Sequence, residues 1–195
     1  ESLLEKAYLH VVQYRDMREH TGAKYALAIK LHEQGVEWRK KVLVNVCDYS
    51  QNMGVPHFGS EQPGDTYYYS PLGIYIFGIC SKSVKEANLF VYYYYESDAK
   101  KGGNNVASLL WKKIQQEKIM ENYDKFGPLQ EYNLVMDNCR GQNKNRMVIR
   151  LYLALTEIGL FLFANLLFLV RRHTKNTADR MFTSLKKTFH YSNIY

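Results

Sequence analysis

Three aspartates stand where a folded chain could bring them to one place. Asp48 and Asp137 each end an apolar, strand-like run, and Asp179 lies in the last helical segment. Converging carboxylates raise one another's pKa unless cations neutralise them, and hard oxygen ligands suit Mg²⁺ or Mn²⁺. Two such ions about 4 Å apart can activate a water or hydroxyl nucleophile and stabilise the leaving oxygen of a phosphodiester. Any one of these aspartates could instead cap a turn or the next helix.

The elements that must position these aspartates follow from hydrophobic periodicity and turn residues. Residues 3–33 predict a pair of amphipathic helices with a break near Thr21-Gly22. The chain also predicts a loop at 49–65. The other predicted elements are strands 42–48, 67–80, 88–95, 132–137 and 161–170, a long helix from Val106 to Ile119, a helix ending near Ile158, and a final helix carrying Asp179.

This order predicts an α/β fold with a mixed five-stranded sheet (β-β-β-α-β-α-β-α) flanked by helices, an order associated with the ribonuclease H-like fold. We assign residues 1–40 to an N-terminal helical extension and 41–195 to the core. The first and fourth strands would be parallel neighbours, so Asp48 and Asp137 would converge at the edge where open α/β sheets bind ligands.

Polar and basic residues crowd the chain after Asp137, at the start of a predicted helix. The free N–H groups and dipole of a helix start favour phosphate, so these side chains predict nucleic-acid contacts. The alternative is a solvated turn. His173 could assist proton transfer near the metals or simply be an exposed loop histidine. The predicted nucleic-acid-binding residues are Arg140, Gln142, Asn143, Lys144, Asn145, Arg146, Lys175 and Asn176.

The charge balance points to a polyanionic partner. Residues 101–195 hold 15 Lys and Arg against 7 Asp and Glu, and account for the whole positive excess of the chain. Cys47, Cys80 and Cys139 form neither a disulfide framework nor a zinc pattern, which favours an intracellular compartment. The apolar run 151–170 contains Glu157 and divides into a helix and a strand, so we expect no membrane span.

Five short motifs occur together and in order, and the set resembles an uncharacterised domain of transposon-derived eukaryotic proteins. These motifs are Asp48-Tyr-Ser-Gln-Asn, Gln62-Pro-Gly, Lys101-Gly-Gly-Asn-Asn-Val, Asp137-Asn-Cys-Arg-Gly-Gln-Asn-Lys-Asn and His173-Thr-Lys-Asn-x-x-Asp179. That family resembles a DDE/D transposase or integrase core with the ribonuclease H-like fold, and the similarity covers roughly residues 40–190. The resemblance implies that Asp48, Asp137 and Asp179 form a metal-binding catalytic triad, with His173 nearby.

The leading hypothesis is therefore a DDE/D-type polynucleotidyl transferase or nuclease core that uses two Mg²⁺ or Mn²⁺ ions and acts on DNA or on an RNA–DNA hybrid. The alternative is a catalytically inactive, domesticated nucleic-acid-binding module of the same fold. The resemblance also implies a nuclear location, and homo-oligomers fit either hypothesis. Because the chain begins at Glu1 rather than Met, we expect a piece of a longer protein.

Overall fold

The computed structural model describes residues 2–59, 61–83, 88–170 and 177–194, without the side chains of Thr177 and Asp179. The helices are α1 (Leu3–Glu33), α2 (Gly103–Gln116), α3 (Ile119–Phe126), α4 (Arg146–Glu157) and α5 (Thr177–His190), with short 3₁₀ turns at Trp38–Lys40 and Gly64–Tyr68. The strands are β1 (Val42–Tyr49), β2 (Met53–Val55), β3 (Leu72–Ser81), β4 (Asn88–Tyr95), β5 (Leu129–Met136) and β6 (Phe161–Phe168).

The six strands form one mixed sheet. β3 pairs antiparallel with β4 on one side, and on its other side it pairs with β1 and with the short β2. β1, β5 and β6 are successive parallel neighbours. Because β3 runs opposite to both β1 and β4, the strands β1, β4, β5 and β6 all end at the same side of the sheet, which we call the carboxyl edge. α2, α4 and α5 follow β4, β5 and β6 in the chain, so each begins at that edge.

Two apolar layers cover the two faces of the sheet. Alternation along β1 sends Cys47 into the layer under α2, α3 and α4, whereas Val44 and Val46 enter the layer under α1 and α5. Phe182 of α5 and Ala28 of α1 are buried in the second layer. This arrangement confirms a mixed α/β sheet covered by helices.

The predicted break in the N-terminal helical segment is wrong, because α1 is one continuous helix of 31 residues. The hydroxyl of Thr21 donates to the Met17 carbonyl (2.9 Å), so this residue hydrogen-bonds within the helix instead of ending it. The neighbouring Gly22 costs only about 1 kcal/mol relative to alanine in a helix interior. Ser2 and Glu5 form a capping box at the helix start.

The larger differences from the sequence predictions concern β3, the loop at 49–65 and the long helix. β3 begins at Leu72 rather than Tyr67, because the preceding chain forms a 3₁₀ turn. The loop predicted at 49–65 contains β2, so the sheet has six strands rather than five. The long predicted helix is divided into α2 and α3 at Lys118, whose φ of 54° lies in the left-handed region.

The apolar run 151–170 divides as predicted. α4 ends at Glu157 and β6 begins at Phe161. Among the described residues, no helix has the length and apolar character needed to cross a membrane.

Candidate active site

The strands β1 and β5 bring two predicted acidic residues to neighbouring positions. Their parallel register pairs Val42 with Glu131 and Val46 with Val135. Continuing that register by two residues sets Asp48 beside Asp137, on strands about 4.8 Å apart. By alternation both positions lie on the sheet face of Val46 and Val135, which is the face that α5 covers. Both residues are half-buried.

The electrostatics of Cys47 supports this proximity. Burial raises the pKa of the Cys47 thiol well above its ordinary value, and the negative charges of Asp48 and Asp137 raise that pKa further. One buried thiol is therefore close to both carboxylates. Such a pair of like charges favours a bound cation.

Asp137 is oriented by the loop that follows it. Its Oδ1 accepts hydrogen bonds from the backbone N–H of Cys139 (3.3 Å) and from the side-chain amide of Asn143. The Cys139 carbonyl accepts three backbone N–H groups of the same loop, from Gln142, Asn143 and Lys144, at 2.9–3.3 Å. Both of these hydrogen bonds to Asp137 use Oδ1, so Oδ2 is the oxygen that can face a ligand.

Asn143 is fully buried, and its Oδ1 has no hydrogen-bond partner among the described residues. The sequence pattern assigned this residue to nucleic-acid contacts. In the structure its amide group instead donates to the carboxylate of Asp137. A carboxylate that is held in this way is pre-oriented for a ligand.

A lysine that the sequence did not place in the site approaches Asp48. Lys101 donates to the carbonyl of Ser50 (3.1 Å), and its Nζ lies 4.8 Å from the ring centroid of Tyr49 and 5.2 Å from that of Tyr75. Burial lowers the pKa of Lys101, and the charge of Asp48 opposes that shift. The side chain is thus a half-buried cation at the carboxyl edge, packed against Tyr49 and Tyr75 and near Asp48.

Asp179 belongs to the first turn of α5, and its side chain lies outside the described part of the chain. The preceding Ala178 is buried in the same apolar layer as Val46 and Val135, which lie two residues before the acidic pair. The fold therefore starts α5 near the carboxyl edge. His173, Lys175 and Asn176 lie outside the described residues.

The remaining predicted nucleic-acid-binding residues divide by location. Asn145 caps α4, accepting the backbone N–H groups of Met147 (2.9 Å) and Val148 (3.2 Å). Arg140, Lys144 and Arg146 are exposed, and Gln142 is half-buried. Basic side chains in this loop therefore face solvent near the acidic pair.

The donor set fits a hard divalent cation. Asp48 and Asp137 supply carboxylate oxygens of the kind that Mg²⁺ and Mn²⁺ prefer. Among the described side chains, no group of three or more His, Cys, Asp and Glu is placed to hold a metal ion. The described pair is thus two neighbouring carboxylates and not a complete set of metal ligands.

The sequence pattern did not single out Lys101 as a site residue, although it begins the quoted Lys101-Gly-Gly-Asn-Asn motif. A basic residue before two glycines is typical of any exposed turn. Only the packing of that turn against Tyr49 and Tyr75 shows its position.

The fold and the site define a mixed α/β protein with an acidic pair at the carboxyl edge of its sheet. The chain belongs to the family described as a domain of unknown function (DUF7869), whose model matches residues 66–195, two thirds of the chain. The matched region includes Asp137 and α5, whereas Asp48 precedes it. No curated protein and no solved structure matches the chain.

Proposed function

We propose that this chain is the ribonuclease H-like core of a DDE/D transposase-type enzyme that cleaves or joins DNA with Mg²⁺ or Mn²⁺. The observation that carries the proposal is the parallel register of β1 and β5, which pairs Val46 with Val135 two residues before Asp48 and Asp137. An antiparallel meander followed by two parallel strands is also the strand arrangement that such a core requires. DNA as the partner, the nuclear location and any homo-oligomer are parts of this proposal.

The residues of the chain have distinct tasks in this reaction. Asp48, Asp137 and Asp179 would hold the cations, and the Asn143 amide would fix the orientation of Asp137. When bound, two divalent cations lower the pKa of the attacking water or 3′-hydroxyl and neutralise the leaving oxygen. Lys101, held beside Asp48, would add positive charge for a phosphate oxygen.

A cleavage assay tests this function. Labelled single-stranded DNA, double-stranded DNA and an RNA–DNA hybrid are incubated with Mg²⁺ or Mn²⁺ and the wild type, Asp137→Asn or Asp48→Asn. Losing one carboxylate that holds the metals removes several kcal/mol of transition-state stabilisation, so we expect cleavage to fall at least about 100-fold.

Asp124→Asn is the matched control, because Asp124 is exposed on α3 and its loss removes the same charge. This variant should cleave like the wild type. Equal activity of Asp137→Asn and Asp124→Asn would contradict the proposal, as would a wild type that cleaves none of the substrates with either metal.

The second candidate function is a non-catalytic nucleic-acid-binding module. The exposed basic side chains after Asp137 favour it, because phosphate contacts need cations but no metal-binding triad. Salt-dependent DNA binding by a wild type that cleaves nothing would support this candidate.

A further inference from the structure

A cleft lies between the starts of α2 and α4, next to the acidic pair but separate from it. Its volume is about 650 Å³, and its basic lining residues are Lys100, Arg146 and Arg150. No acidic residue lines it among the described residues, and none of the three cations forms an ion pair with a described carboxylate. Three unpaired cations around one concave surface indicate an anionic ligand.

The two helices approach each other closely at this cleft. A Cβ added to Gly103 would lie 2.5 Å from the side chain of Asn145, so glycine is needed where α2 meets the α4 cap. In the described part of the chain no side chain caps the start of α2, and its first backbone acceptor, the Gly102 carbonyl, receives the N–H of Val106 (3.1 Å). The backbone N–H groups of the first α2 turn therefore supplement the three cations.

The cleft continues into an apolar groove along α2 and α4. A second hollow of about 470 Å³ shares Asn104, Met147 and Arg150 with the cleft and extends to Trp111. Its remaining lining residues, Ala107, Ser108 and Leu151, carry no charge. From Gly103 to Trp111 the helix rises about 12 Å, which matches a few nucleotides at about 3.4 Å per stacked base.

We propose that the cleft binds a backbone phosphate of a single-stranded nucleic-acid segment and that the groove binds its adjoining bases, with Trp111 as a stacking surface. The cations match phosphate, whereas the apolar groove and an indole match base faces better than a second row of phosphates. Lys101 and Lys100 are consecutive: Lys101 lies at the carboxyl edge near Asp48, and Lys100 lines the cleft. One strand could therefore reach both places.

This inference rests on the proposed function in one respect, that the ligand is a nucleic acid. Its test uses binding without metal, so that it can fail independently of catalysis. Fluorescence anisotropy in EDTA would measure the binding of a labelled oligothymidylate to the full chain from about 50 to about 200 mM salt. The variant is Arg146→Gln/Arg150→Gln, which keeps good helix formers in α4.

We expect this variant to bind about tenfold more weakly at low salt and to lower the slope of log affinity against log salt by about 1.4, or 0.7 per lost contact. Lys40→Gln/Lys125→Gln removes the same charge at exposed positions of the opposite edge, so it should leave the slope unchanged. Equal slopes for the two double variants would overturn the inference. Inorganic phosphate that displaces the oligonucleotide at equimolar concentration would also overturn it, because the site would then bind free phosphate.

Trp111 supplies an independent readout. Trp111→Phe keeps a stacking ring, whereas Trp111→Leu removes it, and both keep an apolar side chain on the partly buried face. We expect the leucine variant, and not the phenylalanine variant, to lose at least about fivefold in affinity for the single strand. Equal affinity of the two variants, or tighter wild-type binding to duplex than to single strand, would contradict the groove assignment.

The outcomes separate the two proposals. Cleavage that needs Asp137, combined with wild-type binding by the double arginine variant, would leave the enzyme proposal standing and reject the cleft. Binding that needs the two arginines, without cleavage of any substrate, would support the cleft and reject the enzyme proposal.

Discussion

Two polar regions share strand β1, but the protein surrounds them differently. Asn45 begins an interior network, in which its amide donates to the Tyr132 hydroxyl (2.6 Å) and to Glu117 (3.3 Å). Glu117 also pairs with Lys113 at 2.8 Å, and that lysine is only 1% exposed. Three residues further along, Asp48 and its neighbour Asp137 lie half-buried at the carboxyl edge.

This difference shows how burial distinguishes polar groups that stabilise the fold from polar groups that are available to a ligand. In the interior network the Glu117 carboxylate accepts from both the Lys113 ammonium and the Asn45 amide inside the protein. At the carboxyl edge two like charges lie together, Lys101 is half-buried near Asp48, and the other basic side chains nearby face solvent or a cleft. A network whose charges are paired within the protein stabilises the fold, whereas two neighbouring carboxylates at an accessible edge favour a bound cation.

The largest effect is expected from a substitution that breaks the interior network. Glu117→Ala would leave the Lys113 charge buried without its partner, so we expect the free energy of unfolding to fall by about 3–5 kcal/mol. Urea denaturation measures this loss. The double variant Lys113→Met/Glu117→Met should recover most of it, because a buried ion pair is often replaceable by apolar residues.

Asp137→Asn is the contrasting variant at the carboxyl edge. Its amide oxygen can still accept from Asn143, and the change relieves repulsion with Asp48, so the free energy of unfolding should change by less than about 1 kcal/mol. A loss as large as that of Glu117→Ala would show that the carboxyl edge is also structural.

These two regions show what the sequence can and cannot predict. The apolar runs that end at Asp48 and Asp137 are local sequence patterns. The predicted order of strands and helices then places both aspartates at one edge of the sheet. The burial of Lys113 could not be predicted, since a lysine in an amphipathic helix ordinarily faces solvent and only packing against Phe90 and β1 encloses it. The bond from Asn143 to Asp137 likewise depends on a loop conformation that residue types do not specify.

An effect smaller than that of Glu117→Ala is expected from Gly78→Ala, which disturbs the packing of α5 against β3. Gly78 pairs with Asp48 across β1 and β3, and an added Cβ would overlap the buried ring of Phe182. Overpacking of this kind costs about 1–3 kcal/mol. Urea denaturation measures the loss, and because α5 carries Asp179 the cleavage assay should also show reduced activity.

Gly22→Ala is the control for this substitution, since nothing lies within 4 Å of the added Cβ. Stability and cleavage should not fall in that variant. Wild-type cleavage by a destabilised Gly78→Ala protein would show that the position of α5 does not matter to the site.

The smallest expected effect is a pH dependence of stability that arises from Tyr92, next to the interior network. Burial raises the pKa of Tyr92 to about 12, and the charge of Glu117 contributes. Since tyrosine in an unfolded chain ionises near pH 10, the unfolded state loses this proton first. The stabilising contribution is therefore complete below pH 10 and is lost as the pH rises towards about 12.

Tyr92→Phe should accordingly lose stability less steeply than the wild type over this range, as measured by urea midpoints at successive pH values. Tyr68→Phe is the matched control, because Tyr68 is 91% exposed, and it should follow the wild type. Identical slopes for all three proteins would contradict the assignment.

The central claim is that the acidic pair at the carboxyl edge binds divalent metal. Titration calorimetry with Mn²⁺ tests it directly on the wild type, Asp48→Asn, Asp137→Asn and the exposed control Asp124→Asn. We predict that the wild type and the control bind Mn²⁺ alike and that each edge variant binds at least about tenfold more weakly. Absence of Mn²⁺ binding by the wild type, or equal affinity in all four proteins, would contradict the account.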